Sequence, residues 1–330
     1  MASQWYKDAI VVDGMNYSKW GLEIFESMHD GGLTAVHVTH CPPYLRLADT
    51  IKSLAQWKKW FRDYSNVITQ VYTTEDIRRA KRENLVGIIL GWQDSTGFDD
   101  HLYNIALFKE LGVGIVQLTY NTANSVGCGC YDSRDGGLTD FGREVVAEMN
   151  RVGIAVDLSH CGDKTAEEAI LASKKPTIYT HVDAKSLMDV PRNKSDAQLK
   201  FLVDHDGHIG VSLHPPFLPH GNDSTMDDFV DVIDYIVNLV GEDHVGIGTD
   251  YVQGENTDAV WWEMIIRDKF HARKLTDEIF TSLRHPADLA GIQCFPNITI
   301  NMETRGWSET RIRKIMGENF LRYLDKVWAV

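Results

Sequence analysis

GLTDFGREVVAEMNRVGIAVDLSHCGDKTAEEAILASKKPTIYTH, residues 137–181, decides the fold. Phe141, Val145, Val146, Met149 and Val152 recur at helical spacing. GIAVDLSH (153–160) then reads as a short, nearly continuous apolar run, and after enough chain for one helix PTIYTH (176–181) reads as another. Such runs, too short for helices and separated by helix-length segments, are the pattern of buried parallel strands joined by crossover helices.

The same unit extends in both directions. Upstream lie AIVVD (9–13), LTAVHVTH (33–40), LVGIILGW (85–92) and VGIVQLTY (113–120); downstream lie HIGVSLH (208–214) and HVGIGTD (244–250). Leu102, Ile105, Ala106 and Phe108 mark a further crossover helix. Eight units in about 250 residues predict an α/β fold, a closed (β/α)8 TIM barrel, in count and size better than an open doubly wound sheet. Leu275–Arg284 and Ser308–Val327 are helical by pattern and are expected to pack outside the barrel. No interdomain linker is visible, so residues 1–330 are expected to form a single domain.

Composition narrows the partners. With 33 Lys+Arg against 47 Asp+Glu the net charge is −14, which argues against unaided binding to nucleic acid or an anionic membrane, since both require clustered basic residues. The 43% hydrophobic and 24% charged content is that of a globular protein, and the longest strongly apolar runs fall far short of the roughly 18 residues that span a bilayer. The beginning, MASQWYKDAIVVDG, has no export signature, so a cytoplasmic location is expected. Cys41, Cys128, Cys130, Cys161 and Cys294 are then read as reduced, and the sequons at Asn16, Asn193, Asn222 and Asn297 as unmodified.

GxSxG, Walker, HExxH, CxxC and GxGxxG signatures are all absent, which weakens nucleophilic-serine and nucleotide-cofactor readings. What remains is a set of polar residues where apolar runs stop: Gln93, Tyr120, His160, His181, His214 and Asp250. A barrel gathers them on the rim where its enzymes build their sites. His160 and His181 end consecutive strands and can converge on a zinc ion, or can form a structural pair. Asp250 fits a general base or a helix N-cap. Arg192 fits a carboxylate clamp or a solvated surface residue. His37 and His40 have odd separation, so at most one points into the barrel. Three long loops leave this same rim: CPPYLRLADT (41–50), GCGCYDSRDGG (127–137) and PPFLPHGNDST (215–225). The Gly-rich one has no phosphate-binding pattern around it.

LTYNTANSVGCGC (118–130), the GLTDFG…DLSH…TH…VPRN sequence of motifs (137–193), VGIGTD (245–250) and GENFLRYL (317–324) together resemble the membrane (renal) dipeptidase family of the amidohydrolase superfamily, in order and spacing, over roughly residues 10–325. The resemblance implies two zinc ions sharing a glutamate bridge, one held by a His-X-Asp pair on the first strand and the other by histidines ending the fifth and sixth. It places His160 and His181 at the latter positions, Asp250 as the acid/base and Arg192 at the substrate carboxylate. It also implies a homodimer.

The chain departs from that pattern where the other ligands belong. DGMNYS puts Met15 and Tyr17 at the His-X-Asp positions, and Tyr120 replaces a histidine 27 residues after the bridging position, which is here Gln93. Thioether, phenol and neutral amide are poor substitutes for imidazole and carboxylate toward zinc. One zinc at most is therefore expected, on His160, His181 and the Gln93 amide oxygen. Catalytic roles are expected for Asp250, His160, His181 and Tyr120, and substrate contacts for Arg192, Asn193, Tyr17 and Asn121. The leading expectation is a dipeptidase-like hydrolase of a small carboxylate-bearing amide. A metal-free lyase or isomerase on the same barrel and a non-catalytic small-molecule binder are the alternatives.

Overall fold

Nine parallel strands form the sheet of the computed structural model, which describes residues 3–254 and 284–329. They are β1 (Val12–Asn16), β2 (Ala35–Thr39), β3 (Ile68–Gln70), β4 (Val86–Trp92), β5 (Val113–Gln117), β6 (Ala155–Asp157), β7 (Ile178–Val182), β8 (His208–Val211) and β9 (Val245–Ile247). Neighbours run β1-β2-β4-β5-β6-β7-β8-β9, a nearly closed eight-stranded barrel, with β3 paired to β4 off this path. Each apolar run read from the sequence holds one barrel strand. The first strand starts at Val12 rather than Ala9, because Ala35, its first partner on β2, lies opposite Val12. β3 was not foreseen. It is three residues long and pairs only with Val86–Ile88, beside the stretch from Leu90 onward that β5 takes up.

Helices α1 (Leu22–Asp30), α2 (Leu47–Asp63), α3 (Thr74–Glu83), α4 (Leu102–Glu110), α5 (Asp140–Val152), α6 (Asp163–Ala172), α7 (Asp196–Asp204) and α8 (Met226–Val240) connect the strands. In α5 the Thr139 hydroxyl caps the first turn by accepting from Gly142 N–H, Val145, Val146 and Met149 form the buried face, and Gly153 at φ 76° ends the helix. None of the described helices is long and apolar enough to cross a membrane. The helix expected at Leu275–Arg284 lies, except for its last residue, outside the described residues.

The C-terminal helices Pro296–Thr304, Glu309–Arg313 and Asn319–Trp328 follow the barrel. The last does more than pack outside: Phe320, Leu324 and Val327 cluster with Val12, Ala35, Ala155 and Ile178, the first residues of their strands. Its Trp328 indole donates to Gly114 O at 3.0 Å. The helix thus covers the end of the barrel opposite the rim where the strands finish.

Backbone pairing is thin at two seams, and an aspartate reinforces each. Between β6 and β7 a single register pair, Asp157 with Ile178, is present. There the Asp157 carboxylate accepts from Thr180 N–H at 3.1 Å and from the Thr180 hydroxyl at 2.7 Å. Between β9 and β1 the bridge is Asn16 with Tyr251, and Asp13 accepts from Thr249 N–H at 2.8 Å and its hydroxyl at 2.7 Å.

Burial raises the Asp13 carboxyl from 3.8 to about 7. A group that holds its proton more tightly when folded stabilises the fold below its unfolded pKa and loses that contribution as pH rises through the folded value. Between about pH 4 and pH 7 the wild-type urea midpoint is therefore expected to fall by more than that of Asp13→Asn. Equal pH dependence in the two proteins would refute this.

Candidate active site

Neighbouring strands bring Tyr120, His160 and His181 together, and the segment after β9 brings Asp250 beside His214. His160 lies three residues beyond the end of β6 and His181 lies within β7, both buried, with their Nε2 atoms 3.0 Å apart. The Tyr120 ring, from the segment after β5, stacks on His160 at 4.3 Å and 26°. Asp250, from the segment after β9, lies with Oδ2 3.8 Å from His214 Nδ1.

The hydrogen-bond network fixes the tautomers. Asp157 Oδ2 takes the hydroxyl proton of Thr180, so Thr180 Oγ1 is left to accept from His181 Nδ1–H at 2.7 Å. Asn121 Oδ1 accepts from His160 Nδ1–H, also at 2.7 Å. Both rings then present an Nε2 lone pair toward the other. Burial pushes both imidazoles well below their ordinary range, and the Arg192 guanidinium adds to the effect. Two neutral lone pairs this close repel, and a cation between them removes the repulsion. The donor set therefore fits a zinc ion, with Asp157–Thr180–His181 and Asn121–His160 as the outer supports that ligand histidines require.

Two of the positions that depart from the family pattern, Met15 and Gln93, join a neutral chain. Thr39 Oγ1 lies 3.4 Å from Met15 Sδ and accepts from the Gln93 side-chain amide at 3.0 Å. Gln117 in turn donates to Gln93 O at 2.5 Å. The Gln93 amide nitrogen is thus committed to Thr39. Among the described residues no group of three or more His, Cys, Asp and Glu can hold a metal ion.

Arg192 is wholly buried, and its terminal nitrogens donate to Ser159 O at 2.7 Å and His181 O at 2.6 Å. The structure thus gives its guanidinium a use the sequence did not suggest, tying the backbone of the two histidine-bearing strand ends. Asn193 donates to Met188 O and Phe217 O, both at 2.9 Å, and so braces two rim loops. Asn121 is engaged with His160, while Tyr17 is half-buried just after β1, its N–H donating to Tyr251 O at 3.1 Å. Burial raises the Asp250 carboxyl to about 6, although Arg192 opposes the shift. His37 and His40 divide as their spacing requires: His37 Nδ1 meets Gly14 O at 2.7 Å, while His40 packs edge-on to Trp92 and contacts Ser53 of α2 at 3.3 Å.

Three participants were missed. Asp157 stands inside the DLSH motif, where the histidine drew the attention; Thr180 immediately precedes His181; and Lys194 is fully buried, donating to Cys161 O at 2.8 Å. The Gly-rich loop is also structural. Gly129 is needed because any side chain there would collide with the Asn121 carbonyl, and Cys130 N–H donates to His160 O at 2.8 Å.

Residues 22–281 match the profile of Membrane dipeptidase (Peptidase family M19). The chain belongs to the membrane dipeptidase family. This family is one of hydrolases, and the match covers most of the barrel of this membrane dipeptidase homologue. An amidohydrolase of Pseudomonas aeruginosa has a crystal structure that is 47% identical, with 99% of each chain covered and a TM-score of 0.94. An uncharacterized dipeptidase of Schizosaccharomyces pombe is 31% identical over 219 residues, 65% of this chain and 47% of that one, so this chain spans about half that relative's length. A metallo peptidase of Rhodobacter sphaeroides, solved with a phosphinate mimic of the dipeptide L-Ala-D-Ala, shares the fold at 21% identity, with 97% and 100% of the two chains covered and a TM-score of 0.78.

Proposed function

We propose that this member of the family hydrolyses a small dipeptide or related amide bearing a carboxylate, with at most one zinc ion. The observation that carries the proposal is the pair of neutral imidazoles whose Nε2 lone pairs converge at 3.0 Å. His160 and His181 would hold the ion, with the Gln93 amide oxygen as the third protein ligand. Zinc bound there would polarise the scissile carbonyl as a Lewis acid.

The chain's own groups supply the rest. Asp250, raised to about 6, is ionised at neutral pH yet basic enough to take a proton from the attacking water and return it to the leaving amine. Tyr120 walls the His160 ring. Tyr17 is the proposed rim contact for substrate, Asn193 holds the rim loops around it, and Arg192 acts from beneath as a buried positive charge. A second ion finds only thioether, phenol and amide at Met15, Tyr17 and Gln93, donors that carry no charge to offset it.

The Rhodobacter neighbour's bound mimic makes L-Ala-D-Ala the first substrate to assay. Protein purified without chelator is expected to carry about one zinc per chain by elemental mass spectrometry, counted against the three neutral or amide donors above, and to release free amino acids from dipeptides. Two zinc ions per chain would overturn the mononuclear assignment; none after supplementation, or no hydrolysis across a dipeptide series, would overturn the hydrolase reading.

A further inference from the structure

The loop after β2, CPPYLRLADT, is one of the irregular rim segments, and the chemistry above makes no use of it. Its Tyr44 stands at φ 65°, in the left-handed region. The other non-glycine residues with positive φ among those described are Asn84, Asp99, Asp100, Asn121, Asp206 and Asp250, all Asn or Asp, whose short polar side chains tolerate that backbone. A bulky aromatic residue there is strained, and strain of this kind persists where surrounding contacts enforce it.

Those contacts lead to His160. The Tyr44 N–H donates to Asp94 Oδ2 at 2.8 Å, and Asp94, itself buried, also accepts from the Asn124 amide at 2.8 Å. Across the end of β4, the Tyr44 hydroxyl donates to Tyr120 O at 2.6 Å, and its ring meets the Tyr120 ring edge-on at 5.8 Å. Tyr120 and Asn121 form a tight turn in which Asn121 is also left-handed, at φ 61°. That turn presents two groups to His160: the Tyr120 ring stacked on its face and the Asn121 oxygen that accepts its Nδ1 proton.

We propose that Tyr44 is a positioning residue that clamps the Tyr120–Asn121 turn and thereby fixes the ring orientation and Nδ1–H tautomer of His160. The left-handed backbone at Tyr44 goes with a hydroxyl on the Tyr120 carbonyl and a ring against the Tyr120 ring. This role concerns the same site as the proposed hydrolysis and rests on that reading for its effect on turnover, but its effect on His160 is measurable without it.

The test compares wild type with Tyr44→Phe, which removes only the hydroxyl, and Tyr44→Gly, which removes the side chain and relieves the backbone. The first readout is solvent exchange of the His160 Nδ1 proton by NMR, assigned with His160→Asn. The second is the split of kcat and KM on L-Ala-D-Ala. Loss of the clamp is expected to speed exchange by about 10-fold, the weight of one hydrogen bond. In Tyr44→Phe, kcat is expected to fall about 10-fold with KM little changed, as for outer supports of a ligand histidine.

Tyr44→Gly is expected to match or exceed both effects while its unfolding midpoint stays at or above that of wild type. Unchanged exchange at His160 in Tyr44→Phe overturns the proposal, whatever the kinetics and whether or not Tyr44→Gly folds. If wild type cleaves no dipeptide, the hydrolase reading fails while the exchange measurement still decides the role of Tyr44.

Discussion

His181→Ala is expected to lose its zinc and to lower kcat/KM by more than the roughly 100-fold that marks the upper end for substitutions around a metal rather than at it. The imidazole is wholly buried, and its Nε2 faces His160 Nε2 at 3.0 Å. Removing it leaves one imidazole and one neutral amide, a set too weak to retain zinc against buffer. A purely structural histidine pair predicts something else: the Thr180 hydroxyl, which accepts from His181 Nδ1–H at 2.7 Å, would lose a partner and the unfolding midpoint would drop, with metal content unchanged. Elemental analysis of wild type and variant, purified side by side, separates the two. Equal zinc in both would sink the ligand assignment.

Asp250→Asn is expected to keep its zinc and lose roughly 100- to 10,000-fold in kcat, the range attributed to a positioned general base. Asn is a fair replacement here because Asp250 stands at φ 52°, a backbone that Asn also adopts readily, so the loop is preserved and only the base is removed. The pH profile supplies a second check. Burial lifts the carboxyl to about 6. Below that pH it carries its own proton and cannot accept another, so wild-type kcat/KM is expected to rise through about pH 6 and then level. In the variant that acid limb should vanish. If the limb persists in Asp250→Asn, another group is the base.

The barrel was legible because its strands are buried on both faces. Each run, from AIVVD to HVGIGTD, is apolar nearly throughout and bounded by helix-length spacers, so periodicity alone located eight strands. β3 escaped because three residues carry no usable period, and its existence depends on β4 offering a free stretch at Val86–Ile88. The covering of the barrel's far end by Asn319–Trp328 escaped because an amphipathic pattern shows that a helix has an apolar face but not which surface receives it.

The site divides in the same way. Residue type and position at strand ends marked His160, His181, Asp250 and Tyr120, and, set against the family pattern, the missing histidine at Met15 and the missing carboxylates at Tyr17 and Gln93 were plain in the sequence. The roles of Arg192 and Asn121 were not. A guanidinium next to a rim motif reads equally as a clamp for substrate; only its burial against Ser159 O and His181 O turns it toward the backbone. Likewise Asp157 and Thr180 gain meaning from a chain of hydrogen bonds that crosses from β6 to β7.

By itself, then, the sequence determined the α/β barrel and which side chains reach the rim, because strand period and strand-end position are local properties of the chain, while its motifs carried the resemblance to the family. The tertiary structure decided which ring nitrogen of each histidine carries its proton, which buried charges face the site and what Tyr44 holds in place. Those depend on hydrogen-bond partners and desolvation contributed by segments tens of residues apart, and no local pattern encodes them.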